Sequence, residues 1–253
     1  MKITLTFYPA ELKGFEQKGL RVVAIDVLRA CSTITHALAQ GCRVIRPFAS
    51  IRGCLKKARG LEPDKIILGG ERGGLRIKGF HLGNSPLEYS RERVEGKSLL
   101  FTTTNCTKNL QAITRLMRPQ EVLICSLLNL PALAEYLTIQ EGSVHLALSG
   151  TDGKMALEDV VCGGMLIHRL LEKPSATKAH LSDSARLAHI TYLHYKDDLK
   201  QALRDSSHGQ RLIVLGMEKD LDFCTQVGIY SIIPRFTRGV IKVSNEPKEA
   251  GKT

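Results

Sequence analysis

Through its first 150 residues the chain alternates short β-branched apolar runs with helical segments, and this alternation restricts the fold more than any other feature. The run 21–28 (RVVAIDVL) reads as a buried strand. Residues 32–40 read as a helix, and Gly41 fits the position just past its C-terminus. Strands are expected at 1–7, 43–48, 65–68, 97–103, 121–127 and 143–148, and helices at 51–59, 106–117 and 130–138. Strands spaced by helices make βαβ units, so the expected class is α/β: a three-layer α/β/α fold with a mostly parallel sheet. The interval 69–96 is rich in Gly and Pro with little periodicity, and its Gly, Arg, Asn and aromatic residues mark it as functional.

After residue 150 the rhythm changes. Residues 155–171 read as a long helix containing Gly163-Gly164, which is costly unless another backbone packs closely there. Residues 181–206 read as helical, 211–215, 229–233 and 238–243 as strands, and 244–253 as a polar, fraying tail. With no internal repeat or low-complexity linker, a single domain over 1–253 is expected; a subdivision would fall near 150.

Composition narrows the function classes. With 43% hydrophobic and 24% charged residues, the 253-residue chain is globular rather than disordered. It has no apolar run of about 18 residues, so no membrane helix is expected. The alternating N-terminal segment is not a signal peptide, and the expected location is cytoplasmic. The seven cysteines include no C-x-x-C pair, so neither a disulfide framework nor a zinc ribbon is indicated, and most are expected to be small buried hydrophobes. The eight histidines form no H-E-x-x-H or H-x-H pattern; His208 reads as an ordinary surface residue. The net charge of +11 sits wholly in residues 1–125, with 21 Lys/Arg against 10 Asp/Glu; residues 126–253 carry 15 of each. A basic half suits an anionic ligand, either nucleic acid or a small phosphate or sulfonate ester. No tract of five or six like charges appears, so nucleic acid is not demanded.

In open parallel sheets ligands bind beyond the carboxyl ends of the strands. Three strand ends and one helix start carry the polar residues that matter. Strand 21–28 brings Asp26, followed by Arg29. Strand 65–68 runs into Gly69-Gly70-Glu71-Arg72-Gly73-Gly74, and strand 97–103 into Thr102-Thr103-Thr104-Asn105. Helix 155–171 carries Glu158 and Asp159 near its start. A carboxylate inside an apolar run costs several kcal/mol unless it is paired or metal-bound. For Asp26 the readings are a salt bridge to Arg29, a cap on the next helix, or a metal or catalytic role; the functional reading extends to Glu71. Glu158-Asp159 are either ordinary charges at a helix N-terminus or part of the site. Thr102 to Asn105 either supply hydroxyls and N–H groups to an oxyanion or form a Thr-rich strand with an Asn N-cap. Neither G-x-x-x-x-G-K-[ST] nor G-x-G-x-x-G is present, which disfavours ATPase and dehydrogenase readings. Asp26 has no second Asp two positions on, and no Cys has an Arg six positions on, so two common phosphatase classes are disfavoured as well.

Four blocks then stand out: Ile25-Asp26-Val27-Leu28-Arg29-Ala30 with Thr33-Ile34; Gly70-Glu71-Arg72-Gly73-Gly74 with Gly79-Phe80 and Gly83-Asn84-Ser85-Pro86; Thr103-Thr104-Asn105 with Thr107; and Ala156-Leu157-Glu158-Asp159. Asp183, Ala188, Tyr192 and Ile233-Pro234 follow in the same order. In these the chain resembles the 2-phosphosulfolactate phosphatase family over nearly its whole length. The resemblance implies a three-layer α/β/α fold and a Mg²⁺-dependent hydrolase that converts 2-phospho-3-sulfolactate to 3-sulfolactate and phosphate, a step of coenzyme M biosynthesis in methanogens. On that reading Asp26 and Glu71 hold Mg²⁺, with Glu158 or Asp159 completing the shell. Arg29 and Arg72 neutralise the anionic groups, Thr103, Thr104 and Asn105 donate hydrogen bonds, and Asn84 and Ser85 line the pocket. The alternatives are a phosphatase for another 2-hydroxycarboxylic acid ester and a non-catalytic anion- or nucleic-acid-binding protein; a homodimer is the default assembly. Two positions depart from the family pattern. Cys106 stands where Gly is usual, and a Cβ there would disfavour a positive-φ turn or narrow the anion pocket. Cys31 stands where Ser or Thr is usual, and its thiol is the poorer hydrogen bonder.

Overall fold

The two buried faces of each central strand decide the layering. In the strand at Arg21–Ile25, Val23 and Ile25 enter one apolar cluster while Val22 and Ala24 enter another, as the two-residue period of a strand requires. The computed structural model describes residues 1–13, 19–140, 142–172 and 179–243. In chain order the first elements are β1 (Lys2–Thr6), β2 (Arg21–Ile25), α1 (Ala30–Ala39), β3 (Val44–Pro47), α2 (Ile51–Ala58), β4 (Ile66–Arg72) and β5 (Leu75–Arg76). Next come α3 (Arg91–Val94), β6 (Ser98–Thr102), α4 (Cys106–Met117), β7 (Glu121–Cys125), α5 (Leu130–Thr138), β8 (Val144–Leu148) and α6 (Leu157–Leu171). The chain continues through β9 (His180–Leu181), α7 (Asp183–Tyr195), α8 (Leu199–Asp205), α9 (Ser207–Val214) and α10 (Glu218–Cys224) to the hairpin β10 (Pro234–Thr237) and β11 (Val240–Val243).

The strands form one mostly parallel sheet in the order β5-β4-β6-β3-β11-β10-β7-β2-β8-β1-β9. Parallel pairing unites β4, β6 and β3 on one side and β7, β2, β8, β1 and β9 on the other. The antiparallel hairpin β10–β11 joins the two groups. Around the larger group the arrangement is α/β/α: α5, α6 and α7 cover one face, and α1 and α4 cover the other. The second cluster also takes in Ile45, Leu99 and Phe101 of the smaller group, so α1 and α4 pack where the two groups face one another. Traced through the hairpin, the groups run in opposite directions. Strand twist of roughly 20–25° per step, over the five steps from β6 to β2, turns them by more than about 100°. The carboxyl ends of both groups therefore meet at one place, as the bond from Arg29 Nη2, just after β2, to the Gly74 carbonyl, just after β4, shows (2.6 Å).

Two glycines make close approaches that a Cβ would block. Gly70, at φ 140°, lets β4 run on to Arg72 beside β6; a Cβ there would lie 2.0 Å from the Thr102 carbonyl oxygen. Gly164 lets α6 meet α7 backbone to backbone, with a Cβ position 2.0 Å from the Ala188 carbonyl oxygen, which is the close packing that the Gly163-Gly164 pair requires.

Three local expectations are corrected. The helix 181–206 is two helices, because Asp198 caps a new one by accepting from the Gln201 N–H (3.0 Å). Residues 211–215 are not a strand: Ser206 caps α9 through the Gly209 N–H (2.9 Å), and that helix runs to Val214. Residues 229–233 form no ladder; the segment is held by Gly228 N–H and Tyr230 N–H donating to the carbonyls of Leu127 and Leu128, and pairing starts only at Pro234. All seven cysteines are buried. Among the described residues no helix is long and apolar enough to cross a membrane. The expected tail 244–253 lies outside the described residues.

Candidate active site

Asp26 is the first residue after β2, and it is 5% exposed. Its Oδ1 accepts the Ala30 N–H (3.0 Å), so it caps α1. Its Oδ2 makes no hydrogen bond among the described residues. Arg29 does not pair with Asp26; its Nη1 donates to Asp220 Oδ2 (2.6 Å). Glu158 and Asp159, in the first turn of α6, are buried rather than ordinary surface charges at a helix start. Asp159 ties two strand ends together: Oδ1 accepts Val27 N–H (2.8 Å), after β2, and Oδ2 accepts Gly150 N–H (3.1 Å), after β8. Glu158 Oε2 is buried without a hydrogen-bond partner.

Glu71 does the corresponding work on the smaller strand group. Its Oε1 accepts the Thr104 N–H (2.7 Å), and Oε2 accepts the Gly74 N–H (3.0 Å) and the Thr104 hydroxyl (3.2 Å). Strand alternation sends the next residue to the other face. Arg72 donates to the Thr102 hydroxyl (2.9 Å) and to the Glu71 carbonyl (2.5 Å) and does not line the cleft. Asn105 stands at the N-cap of α4, but its side chain makes no capping bond; Oδ1 accepts the Asp152 N–H instead (3.4 Å). Thr103 Oγ1 accepts the Thr107 N–H (3.4 Å), which leaves its own proton free to donate. Ser85 is turned to Asp220, donating to Oδ1 (2.5 Å), while Asn84 lines the cleft with its Oδ1 buried and unpartnered.

These groups form one wall of a narrow cleft: Asp26, Glu71, Asn84, Thr103, Thr104 and Asn105. The rest of the lining is Asp152, on the turn after β8 and bonded to Asn105, with His208 and Arg211 of α9. The sequence reading missed Asp152, Arg211 and Asp220, and His208 is corrected from a surface residue to a cleft residue. His208 Nδ1 is buried without a partner, and burial, helped by Arg29, pushes the imidazole down to about 4, so it is neutral at pH 7. One signal was available: Ser206, a good N-cap residue, sits just ahead of His208.

The electrostatics are lopsided. Five buried carboxylates (Asp26, Glu71, Glu158, Asp159 and Asp220) meet one buried guanidinium, Arg29. Burial pushes the Asp26 carboxyl up to about 8, against the Ala30 N–H and with the help of Glu158 and Glu71. Burial likewise pushes Glu158 up to about 7 and Asp159 well above the carboxylate range. Such a cluster calls for a cation. Among the described residues no three His, Cys, Asp or Glu side chains gather closely enough to hold a metal by themselves. Mg²⁺ does not need that: it takes one or two carboxylates and completes its shell with water and phosphate oxygens. Asp26 with an open Oδ2 and Glu71 beside it, both lining the cleft, fit such an ion; Glu158 and Asp159 lie behind it and do not line it.

The two departures from the family pattern face each other. Cys31 Sγ and Cys106 Sγ are 4.0 Å apart, both buried, and neither lines the cleft. Cys106 opens α4 and has no positive φ, so its Cβ neither strains a turn nor narrows the anion pocket.

Comparison with known proteins returns one family throughout. The family model described as 2-phosphosulpholactate phosphatase matches residues 6–239. A probable 2-phosphosulfolactate phosphatase of Symbiobacterium thermophilum is 41% identical over 235 residues, covering 92% of this chain and 96% of that protein. One from Clostridium acetobutylicum is 36% identical over 241 residues, covering 95% and 100%. One from Thermotoga petrophila is 38% identical over 225 residues, covering 89% and 92%.

Proposed function

Because the chain belongs to the 2-phosphosulpholactate phosphatase family, we propose that it hydrolyses 2-phospho-3-sulfolactate to 3-sulfolactate and phosphate, with Mg²⁺ held by Asp26 and Glu71. The observation that carries this reading is the buried carboxylate cluster at the converging strand ends, with Asp26 Oδ2 open beside free donors. Carboxylates repel a phosphate ester unless a cation intervenes. Bound Mg²⁺ supplies Lewis-acid polarisation of the phosphoryl group and offsets its charge.

The chain's own residues hold the ester in place. Thr103 Oγ and the side-chain amides of Asn84 and Asn105 face the cleft as donors for phosphoryl oxygens. Glu71 fixes the loop that carries Thr103 and Asn105, since both of its oxygens grip Thr104. Asp159 holds the ends of β2 and β8 in register, so Asp26 stays aimed at the phosphoryl position. Arg29 lowers the net negative charge from behind the cleft, and its bond to the Gly74 carbonyl fixes the turn after Glu71.

The test is phosphate release from 2-phosphosulfolactate and from a panel of other 2-phospho-hydroxyacids, with Mg²⁺ and then with EDTA. Release confined to phosphosulfolactate and abolished by EDTA is expected. Asp26→Asn keeps the cap on α1 and is expected to lower turnover at least about 100-fold, the scale of losing one electrostatic stabiliser. Unchanged turnover in that variant removes Asp26 from the mechanism, and release from other esters alone moves the substrate elsewhere in the 2-hydroxyacid class.

A further inference from the structure

Three carboxylates line the cleft, Asp26, Glu71 and Asp152, and among the described residues Arg211 is the only Lys or Arg that does so. Arg29 is committed to Asp220 and to the Gly74 carbonyl and does not line it. The substrate proposed above carries a phosphate and a carboxylate on one carbon and a sulfonate on the next. The phosphate end lies with the metal and the strand-end donors. The sulfonate, one carbon farther out, is the group left to the remainder of the lining, and an anion there needs a cation.

Arg211 meets that need in three ways. It stands three residues after His208 on α9, so the two share a helix face, and both line the cleft. Its partner is Asp152 Oδ2, 3.4 Å from both Nη1 and Nη2, with side-chain exposures of 47% and 52%. A long pair this exposed contributes little, so a ligand anion displaces Asp152 at small cost. The guanidinium fork then matches two oxygens of one tetrahedral sulfonate.

We infer that Arg211 is the specificity-determining residue of the cleft: it gives up Asp152 to pair with the sulfonate of the ligand, and so separates sulfonated from plain 2-hydroxyacids. The inference rests on the phosphatase reading of the same site, and a binding measurement separates the two. Titration calorimetry with 3-sulfolactate and with lactate, Mg²⁺ present, is run on the wild-type chain, Arg211→Ala and Arg211→Lys. The wild type is expected to prefer 3-sulfolactate by about 10–100-fold, the range for charge-assisted bonds. Arg211→Ala is expected to bring that ratio close to one, and Arg211→Lys to recover part of it. A wild type without preference, or a folded Arg211→Ala protein that keeps the wild-type ratio, overturns the inference. Phosphate release from phosphosulfolactate, measured on the same wild-type preparation, tests the activity separately. Discrimination through Arg211 without phosphate release overturns the activity and leaves the inference standing.

Discussion

The two walls of the cleft are built on opposite principles. On the strand-end wall Asp26, Glu71 and Thr103 are buried; Asp26 is bonded to the Ala30 N–H at the start of α1, and Glu71 to the N–H groups of Gly74 and Thr104. On the helix wall, made of α9 and the turn after β8, Arg211 and Asp152 are half-exposed and share one long ion pair. Neither carboxylate of the first wall can move without breaking a main-chain bond in a low-dielectric setting, where an unmade bond is costly. The second can exchange partners freely. Chemistry that needs atoms held to a fraction of an ångström belongs on the first wall, and selection among similar anions belongs on the second.

Breaking the strand-end wall has the largest expected effect. Asp220, 3% exposed, accepts from both Arg29 and Ser85 and thereby joins α10 to the end of β2 and to the Asn84-Ser85 loop. Asp220→Ala leaves the Arg29 guanidinium buried without its carboxylate, and breaking a buried pair from one side costs about 3–5 kcal/mol. Urea denaturation is expected to show that loss. A loss under about 1 kcal/mol means that this wall is no stiffer than the other.

The next effect is a pH dependence. The Asp26 and Glu158 carboxyls are pushed up to about 8 and about 7, chiefly by burial, from ordinary values of 3.8 and 4.5. Between those limits the folded metal-free protein keeps protons that the unfolded chain has released. The folded state binds more protons, so stability falls as pH rises through that window. His36, His145 and His208 are pushed down to about 4 by burial, and they act in the opposite direction. Their contribution changes below about pH 7.5, where the unfolded chain begins to protonate them. From about pH 7.5 to 8.5 the carboxylates therefore dominate, Asp159 acting in the same direction, and the metal-free protein is expected to lose about 1 kcal/mol. Mg²⁺ favours the ionised carboxylates and is expected to flatten the slope. Urea titrations across that range, with EDTA and with Mg²⁺, measure both. A level metal-free profile shows that the wall is not held by protonated acids.

The same contrast governs how much of the molecule could be read from its residues. Asp26 interrupts an apolar run and Glu71 a glycine-rich strand end, and a charge in such company is conspicuous because burial makes it expensive. The helices 106–117 and 130–138 were legible to the residue, since strong strands flank them. Asp220 was not legible: in the polar string Glu218-Lys219-Asp220 it looks like any surface helix residue, and its partner Arg29 lies 191 positions away. Arg211 hid for a different reason. The run 211–215 is β-like in composition, and only the Ser206 cap and the burial of Leu212 on α9 decide for helix. The split into two strand groups was also invisible, because it depends on the hairpin β10–β11 pairing across the middle of the sheet.

The smallest expected effect falls on the helix wall and is the sharpest test of the contrast. Asp152 sits at φ 52°, a left-handed conformation that Asn tolerates nearly as well as Asp. Asp152→Asn therefore removes the charge and keeps the turn that presents Asp152 to Arg211. Losing a half-exposed pair at 3.4 Å is expected to change stability by less than about 1 kcal/mol. It also removes the anion that competes for the guanidinium and one negative charge from the cleft, so 3-sulfolactate is expected to bind a few-fold more tightly. Denaturation and calorimetry on the one variant read both effects. If Asp152→Asn costs as much stability as Asp220→Ala, the ion pair with Arg211 is a structural clasp like that of Arg29. If stability holds and binding weakens, Asp152 orients Arg211 for its ligand rather than competing with it.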